Sequence, residues 1–171
     1  YNSTMKDDQY YFHQTPPELC KDIISNIPFN DDDILLEAFA GENGFYDNFP
    51  EELEKHRCEI EDNLDFKDFD YEGIKPTTII TNPPFKLNGR NAFFDILLFF
   101  ARIHHIKKMY ILGSSYCFNS LTPPRMLKLN QAGIYLNKIT CVNVKKWHGR
   151  YWILHFSRVY NENFDYYLNI Y

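Results

Sequence analysis

The chain has 171 residues and a net charge of −5, and 44% of its residues are apolar and 18% aromatic. Such a composition is typical of a globular protein with room for one hydrophobic core, and it excludes a disordered chain. Apolar runs are too short to span a bilayer, and no signal peptide is visible. We therefore expect a single domain over residues 1–171. We expect it to act inside a cell, in the cytoplasm or nucleus, either as a cellular protein or as one encoded by a virus or phage.

The net charge is divided unevenly along the chain. Residues 1–85 carry 6 Lys and Arg against 20 Asp and Glu, a net charge of −14. Residues 86–158 carry 12 Lys and Arg against one acid, a net charge of +11. Because clustered cations attract phosphates, the second half is predicted to face a nucleic acid. The alternative is that the two halves only keep different surfaces soluble.

Cysteine and histidine spacing argues against a metal site. The four cysteines form no Cys-x-x-Cys pair and lie far apart, at Cys20, Cys58, Cys117 and Cys141. We interpret them as buried free thiols in a reducing compartment. The six histidines also lack the spacing of metal ligands, so no metal is expected.

Hydrophobic patterning predicts alternating helices and strands in chain order. The predicted helices are one over residues 15–27 that begins with a capping box, a short one within residues 45–55, one over residues 91–105 and a short one after Thr122. The predicted strands are residues 34–39, 57–60, 77–81 and 109–112, followed by a hairpin of residues 139–144 and 151–157. Residues 65–76 and 88–90 are predicted loops. This order predicts an α/β fold with a mostly parallel sheet, helices on both faces and a C-terminal antiparallel hairpin.

Asn82-Pro83-Pro84-Phe85 closes the apolar strand of residues 77–81. Proline cannot continue a central strand, so the chain turns out there in a stiff, extended form. This holds the Asn82 side chain and the Pro83 carbonyl as acceptors beside the flat ring of Phe85. Two acceptors and a ring suit an exocyclic amino group on a planar base. The alternative is an ordinary proline-rich turn.

A glycine-punctuated turn follows the first predicted strand, from Glu37 through Phe39 and Gly41 to Gly44. A strand followed by such a turn is how Rossmann-like folds bring backbone close to a nucleotide-type ligand. Taken alone, the turn is more typical of an ordinary loop.

Together these motifs resemble the N6-adenine DNA methyltransferases, which use S-adenosylmethionine (AdoMet). The resemblance covers most of the chain, from residues 10–17 through the glycine turn, residues 58–61 and Asp65-Phe66 to Asn82-Pro83-Pro84-Phe85. It implies a Rossmann-like class I methyltransferase fold, with residues 1–85 forming the AdoMet-binding half and residues 86–171 the basic half. The tetrad Asn82, Pro83, Pro84 and Phe85 would be catalytic.

The resemblance also implies roles in AdoMet binding. Glu59 would accept hydrogen bonds from the ribose hydroxyls, with Glu61 as the alternative. Asp65 would bind the adenine amino group, and Phe66 would lie on its ring. The methionine end would be held by Thr15 and by the region of the glycine turn, namely Glu37, Phe39, Gly41 and Gly44.

The chain departs from the family in lacking an evident target-recognition domain. Candidate contacts to nucleic acid are limited to short basic segments with one aromatic: Lys86, Arg90, Arg125, Lys128, Lys145, Lys146, Trp147 and Arg150. We therefore expect short or relaxed specificity, or a specificity subunit or second copy of the chain. DNA is the favoured substrate. The alternatives are the same reaction on RNA adenine, methylation of a glutamine amide in proteins, which the basic half disfavours, or a non-catalytic nucleic-acid-binding subunit.

Overall fold

The computed structural model describes residues 15–145, 147 and 149–162. Its strands are β1 (Ile34–Glu37), β2 (Glu54–Arg57), β3 (Thr78–Thr81), β4 (Lys86–Leu87), β5 (Arg90–Asn91), β6 (Lys108–Ser114), β7 (Tyr135–Val142) and β8 (Tyr151–Ser157). Its helices are α1 (Pro17–Ser25), α2 (Tyr71–Ile74), α3 (Phe93–Ala101), α4 (Ser115–Asn119) and α5 (Pro123–Gln131). Two 3-10 turns cover Tyr46–Asn48 and Ile60–Asp62.

Six of the strands form one sheet in the order β2-β1-β3-β6-β8-β7. β1 pairs in parallel with β2 and β3, and β3 pairs in parallel with β6. β8 runs antiparallel to both β6 and β7. β4 and β5 form a separate antiparallel ribbon directly after Phe85. The predicted fold class, a Rossmann-like α/β fold with a mainly parallel sheet and a C-terminal antiparallel hairpin, is confirmed.

Neighbouring residues on each strand point to opposite faces of the sheet, and both faces are buried. Leu36, Ile79 and Met109 belong to one core with the inner side of α3 and Leu129 of α5. Their neighbours on the same strands belong to a second core with Ile23 and Ile24 of α1. The apolar strand runs read from the sequence therefore reflect burial on two sides.

The structure corrects several predicted boundaries. The second strand is β2, which ends at Arg57 where the predicted strand began, so Cys58 and Glu59 lie beyond it. The short helix predicted within residues 45–55 is a single 3-10 turn, and the loop predicted over residues 65–76 contains α2. The loop predicted over residues 88–90 is the turn of the ribbon formed by β4 and β5, with Arg90 already in β5, and α3 is shorter at both ends than predicted.

The predicted capping box at the first helix is wrong. The residue that precedes α1 is Pro16, and no side chain there accepts a capping hydrogen bond. Proline has no side-chain acceptor, so the first turn is favoured instead by the fixed backbone angle of Pro17. The expectation of buried cysteines holds for Cys20, Cys58 and Cys117, whereas Cys141 is exposed on an edge strand.

Within the described residues, no helix is both long enough and apolar enough to cross a membrane.

Candidate active site

The candidate site lies at the carboxyl edge of the parallel strands. Parallel strands end at the same edge of a sheet, so the residues after β1, β2 and β3 lie near one another. The backbone hydrogen bonding between β1 and β2 continues past the ends of the two strands. Cys58 N donates to Glu37 O and Ala40 N donates to Cys58 O, both at 2.9 Å. The glycine turn and Glu59 are thereby held side by side.

The tetrad is tied to the glycine turn through Thr81. The Thr81 hydroxyl oxygen accepts a hydrogen bond from Phe39 N at 3.1 Å. One residue further on, Asn82 Nδ2 donates to Thr15 Oγ1 at 3.3 Å. The structure therefore brings together Thr15, from the predicted methionine-binding group, and Asn82, from the predicted catalytic group.

Phe85 stands at the mouth of the site and has an aromatic neighbour that the sequence interpretation missed. Tyr116, on the first turn of α4, is 68% exposed. Its ring centroid is 6.4 Å from that of Phe85, with the planes tilted by 49°. The available signal was its place just after the carboxyl end of β6, the strand next to β3. Phe85 and Tyr116 thus form an aromatic pair at this edge of the sheet.

Glu59 fastens the glycine turn. One of its carboxylate oxygens accepts from Gly41 N at 2.5 Å, and the other accepts from Glu61 N at 3.3 Å. Gly41 has a φ of +51°, a region that glycine adopts readily. Ile60, the next residue, is 57% exposed despite its apolar side chain. The edge thus presents an acid and an apolar surface side by side.

Glu37 is buried under the same turn, with only 3% of its surface exposed. Its carboxylate accepts from Tyr46 N at 2.6 Å. Burial disfavours the charged form and raises the pKa of Glu37 to about 8. The side chain is therefore a support for the loop and carries a proton through most of the neutral pH range.

Gly44 is required for packing within the protein. A Cβ added there would lie 2.8 Å from Cys20 Sγ and 3.3 Å from the Thr15 carbonyl oxygen. Its lack of a side chain lets the turn rest on the beginning of α1, which is a different reason from the close ligand approach that the sequence suggested.

The predicted adenine-binding pair follows the 3-10 turn after Glu59. Phe66 is 3% exposed, and its ring centroid lies 4.8 Å from that of Phe39. Asp65 is half-buried, and its carboxylate accepts from Lys67 N at 2.8 Å. The structure joins Phe39 and Phe66 into one aromatic contact beside the turn.

The basic residues predicted to bind nucleic acid fall into three groups. Lys86 and Arg90 lie on the ribbon after the tetrad, and Arg90 is exposed. Arg125 is half-buried, donates to the Ser120 carbonyl at 2.7 Å and stacks 5.5 Å above the Phe94 ring, whereas Lys128 is exposed on the same helix.

The third group is at the tip between β7 and β8. Lys145 and Arg150 are exposed there. Trp147 is half-buried, with its ring centroid 4.3 Å from that of Tyr151. Lys146 lies outside the described residues.

Over the part of the chain that the structure describes, no three His, Cys, Asp or Glu residues are grouped so that they could hold a metal ion.

Comparison with known proteins gives little at the level of sequence. No protein-family model matches the chain, and no curated protein matches it. Among solved structures, it is similar to the crystal structure of a Spodoptera frugiperda DNMT2 mutant, with 16% identity and a TM-score of 0.49. The match covers 90% of this chain and 50% of that one, so the chain spans about half its length. Similarity this low assigns neither a family nor an activity.

Proposed function

We propose that this chain is an AdoMet-dependent methyltransferase that methylates the N6 amino group of adenine in DNA. The observation that carries the proposal is the placement of Asn82-Pro83-Pro84-Phe85 at the carboxyl end of β3, tied through Thr81 to the glycine turn after β1. The proposed acceptors for an amino group and the proposed nucleotide-binding turn thus share one edge of the sheet. Support also comes from the +11 charge of residues 86–158.

The residues around β1 and β2 fit AdoMet by the chemistry of their side chains. Glu59 has carboxylate lone pairs for ribose hydroxyls in addition to those used by Gly41 and Glu61. Exposed Ile60 offers an apolar surface to a purine ring, and Asp65 offers an acceptor to its amino group. When bound, AdoMet would supply a methyl group on a sulfonium, which is already a good leaving group.

The protein's part in the reaction is to position and polarise the substrate amine. Asn82 through its side-chain oxygen and Pro83 through its carbonyl would accept the two amino hydrogens. This orients the nitrogen lone pair and stabilises the positive charge that develops on nitrogen, a contribution of about 3 kcal/mol for one such contact. Phe85 and Tyr116 would hold the flipped base by stacking, which is worth about 1–3 kcal/mol per base.

The decisive experiment is transfer of radiolabelled methyl from AdoMet to duplex DNA, single-stranded DNA, structured RNA and total protein, with nucleoside analysis of the product. Asn82→Ala should lower the rate by about 100-fold or more while AdoMet binding persists. Asn30→Ala is the matched control, because Asn30 is exposed on the turn before β1, at the opposite edge of the sheet.

Each result has a defined reading. N6-methyladenine in DNA that depends on Asn82 supports the proposal. Label found in RNA alone assigns the enzyme to RNA adenine, and label in protein alone assigns it to an amide side chain. Absence of both label and AdoMet binding leaves a non-catalytic nucleic-acid-binding subunit as the better account.

A further inference from the structure

A cleft of about 840 Å³ runs along the outer side of α3, next to the tetrad, and meets the predicted adenine-binding pair at Phe66. One end is formed by the ribbon of β4 and β5, which follows Phe85 directly. The Phe85 carbonyl accepts from Ala92 N at 2.9 Å, so the ribbon folds back to start α3 beside the tetrad. The other end is formed by Arg102 and Ile103, just past α3. Glu59 and Asn82 do not line it.

We call this cleft the α3 groove. Its rim carries three cations and one acid. Lys67, Arg90 and Arg102 are all exposed, and Asp95 is the acid. Within the described residues the ion pairs are His56 with Glu54 and Arg57 with Asp62. None of the three rim cations is therefore within ion-pair distance of a carboxylate in that part of the chain. An anionic ligand would therefore be attracted by cations along most of the rim.

The floor of the α3 groove is apolar. Leu98, Phe99 and Ile103 line it and are half-buried, so part of each side chain faces the opening. Phe66 forms the adjoining wall, and Lys67 Nζ lies 5.7 Å from its ring centroid. Cations along a rim with an aromatic surface between them are the combination that binds single nucleic-acid strands, because phosphates meet the cations and bases meet the rings.

Dimensions agree with a short stretch of strand. The nine residues of α3 span about 14 Å at 1.5 Å per residue. At about 3.4 Å per nucleotide along a duplex strand, this length matches roughly four nucleotides. Arg90 lies at the tetrad end of that span and Arg102 at the far end.

We propose that the α3 groove binds the substrate strand on one side of the target adenine, with Arg90, Arg102 and Lys67 contacting phosphates and Phe99 facing a base. This rests on the proposed function and assigns two residues, Lys67 and Arg102, that the sequence interpretation left without a role. It also supplies a contact surface in a chain that lacks an evident target-recognition domain.

The test is the affinity of the full chain for fluorescein-labelled single-stranded oligonucleotides, measured by anisotropy at several salt concentrations. Arg102→Gln should weaken binding about tenfold and reduce the slope of log affinity against log salt by about one, since one phosphate contact is lost. Lys21→Gln is the matched control, because Lys21 is an exposed cation on α1, across the sheet from α3. It should leave both quantities unchanged.

A second arm uses oligonucleotides with one central adenine and either flank shortened by four nucleotides. The wild type should lose affinity when one particular flank is removed, and Arg102→Gln should be indifferent to that removal. Equal losses for Arg102→Gln and Lys21→Gln, or a flank effect that Arg102→Gln leaves intact, would overturn the proposal.

Because this readout is binding, its failure differs from failure of the proposed chemistry. Methyl transfer to DNA together with unchanged oligonucleotide binding by Arg102→Gln would overturn the proposal for the α3 groove and support the proposed enzyme activity. Arg102-dependent binding in a chain that transfers no methyl would keep the groove. Binding of an acidic peptide such as poly-Glu, dependent on Arg102 and absent for oligonucleotides, would assign the groove to a protein partner and overturn the proposal.

Discussion

The acidic first half and the basic second half of the chain use their charges differently. In the first half, several carboxylates accept hydrogen bonds from nearby backbone. Asp33 accepts from Asn30 N at 2.8 Å, and Glu59 accepts from Gly41 N of the glycine turn at 2.5 Å. In the second half, Arg90 and Arg102 stand exposed on the α3 groove. The carboxyl edge of the parallel strands is largely organised by its own contacts, whereas the α3 groove has exposed charge to offer a ligand.

Arg158 shows that the comparison is not simply one of sign. Its guanidinium donates to the carbonyls of Ile106 at 2.8 Å, Ala101 at 2.9 Å, Ala132 at 3.1 Å and Ile103 at 2.9 Å. It thereby joins the end of α3, the following turn and the end of α5, and partial burial lowers its pKa. The +11 of the basic half therefore includes cations that hold the fold together.

The largest expected effect is on stability, and it distinguishes Arg158, which binds carbonyls, from the exposed Arg102. Arg158→Met should lower the free energy of unfolding by about 3 kcal/mol, because it leaves four carbonyls without their charged donor. Arg102→Met removes an exposed side chain and should change stability by about 0.5 kcal/mol or less. Urea unfolding midpoints of both variants measure this. Similar losses for the two would contradict the distinction.

The second prediction concerns the packing of the glycine turn against α1. Gly44→Ala should destabilise the protein by about 2 kcal/mol, because the new Cβ would lie 2.8 Å from Cys20 Sγ. Cys20→Ala makes room, so the double variant should lose less than the two single losses combined. Unfolding of all four proteins in urea gives the coupling. Strict additivity would show that the two sites do not press on each other.

The third prediction follows from burial of Glu37. Its pKa is about 8 in the folded protein against 4.5 ordinarily, so the folded state keeps a proton that the unfolded state releases. Stability should then fall as pH rises between those values, by at most about 1.4 kcal/mol per pH unit. The burial of His155 has the opposite effect on stability, and it acts at lower pH. Burial lowers the pKa of His155 to about 4, so stability is lost as the pH falls below 6.5.

The window from pH 6.5 to 8 therefore isolates Glu37 from His155. Urea midpoints of the wild type should decline across that window, and Glu37→Gln, which cannot titrate, should flatten the decline. An unchanged slope in the variant would mean that Glu37 is ionised in the folded protein.

The smallest effect concerns Glu59 and its neighbour. Glu59→Gln should weaken AdoMet binding about tenfold, equivalent to about 1.4 kcal/mol, because a charged acceptor for hydroxyls becomes a neutral one. Glu61→Gln is the matched control, since Glu61 is exposed two residues further on. Titration calorimetry with AdoMet distinguishes them. A larger loss for Glu61→Gln would move the ribose role to that residue.

Much of the fold could be predicted because its signals are local. The buried strands β1, β3 and β6 are apolar on both sides and were recognised from short runs of sequence. Parallel strands end together, so the glycine turn after β1 and the tetrad after β3 could be placed at one edge. That placement depends only on strand order and direction, which alternation with helices predicts.

The second strand was misplaced because hydrophobicity carried no signal there. β2 has the sequence Glu54-Lys55-His56-Arg57 and forms the edge of the sheet, so its polar side chains gave no pattern. Pairing with β1 fixed its position, through the register of Ile34 with Glu54. The edge strand was therefore decided by a partner 20 residues away.

The sequence by itself determined the strand–helix alternation, the tetrad and the division of charge, because each depends on residues close together in the chain. Only the tertiary structure decided which charges are available. Arg158 meets carbonyls 26 to 57 residues away, whereas Arg102 meets none with its side chain among the described residues. Side-chain hydrogen bonds of this kind depend on how α3, α5 and β8 pack, and no local pattern encodes that packing.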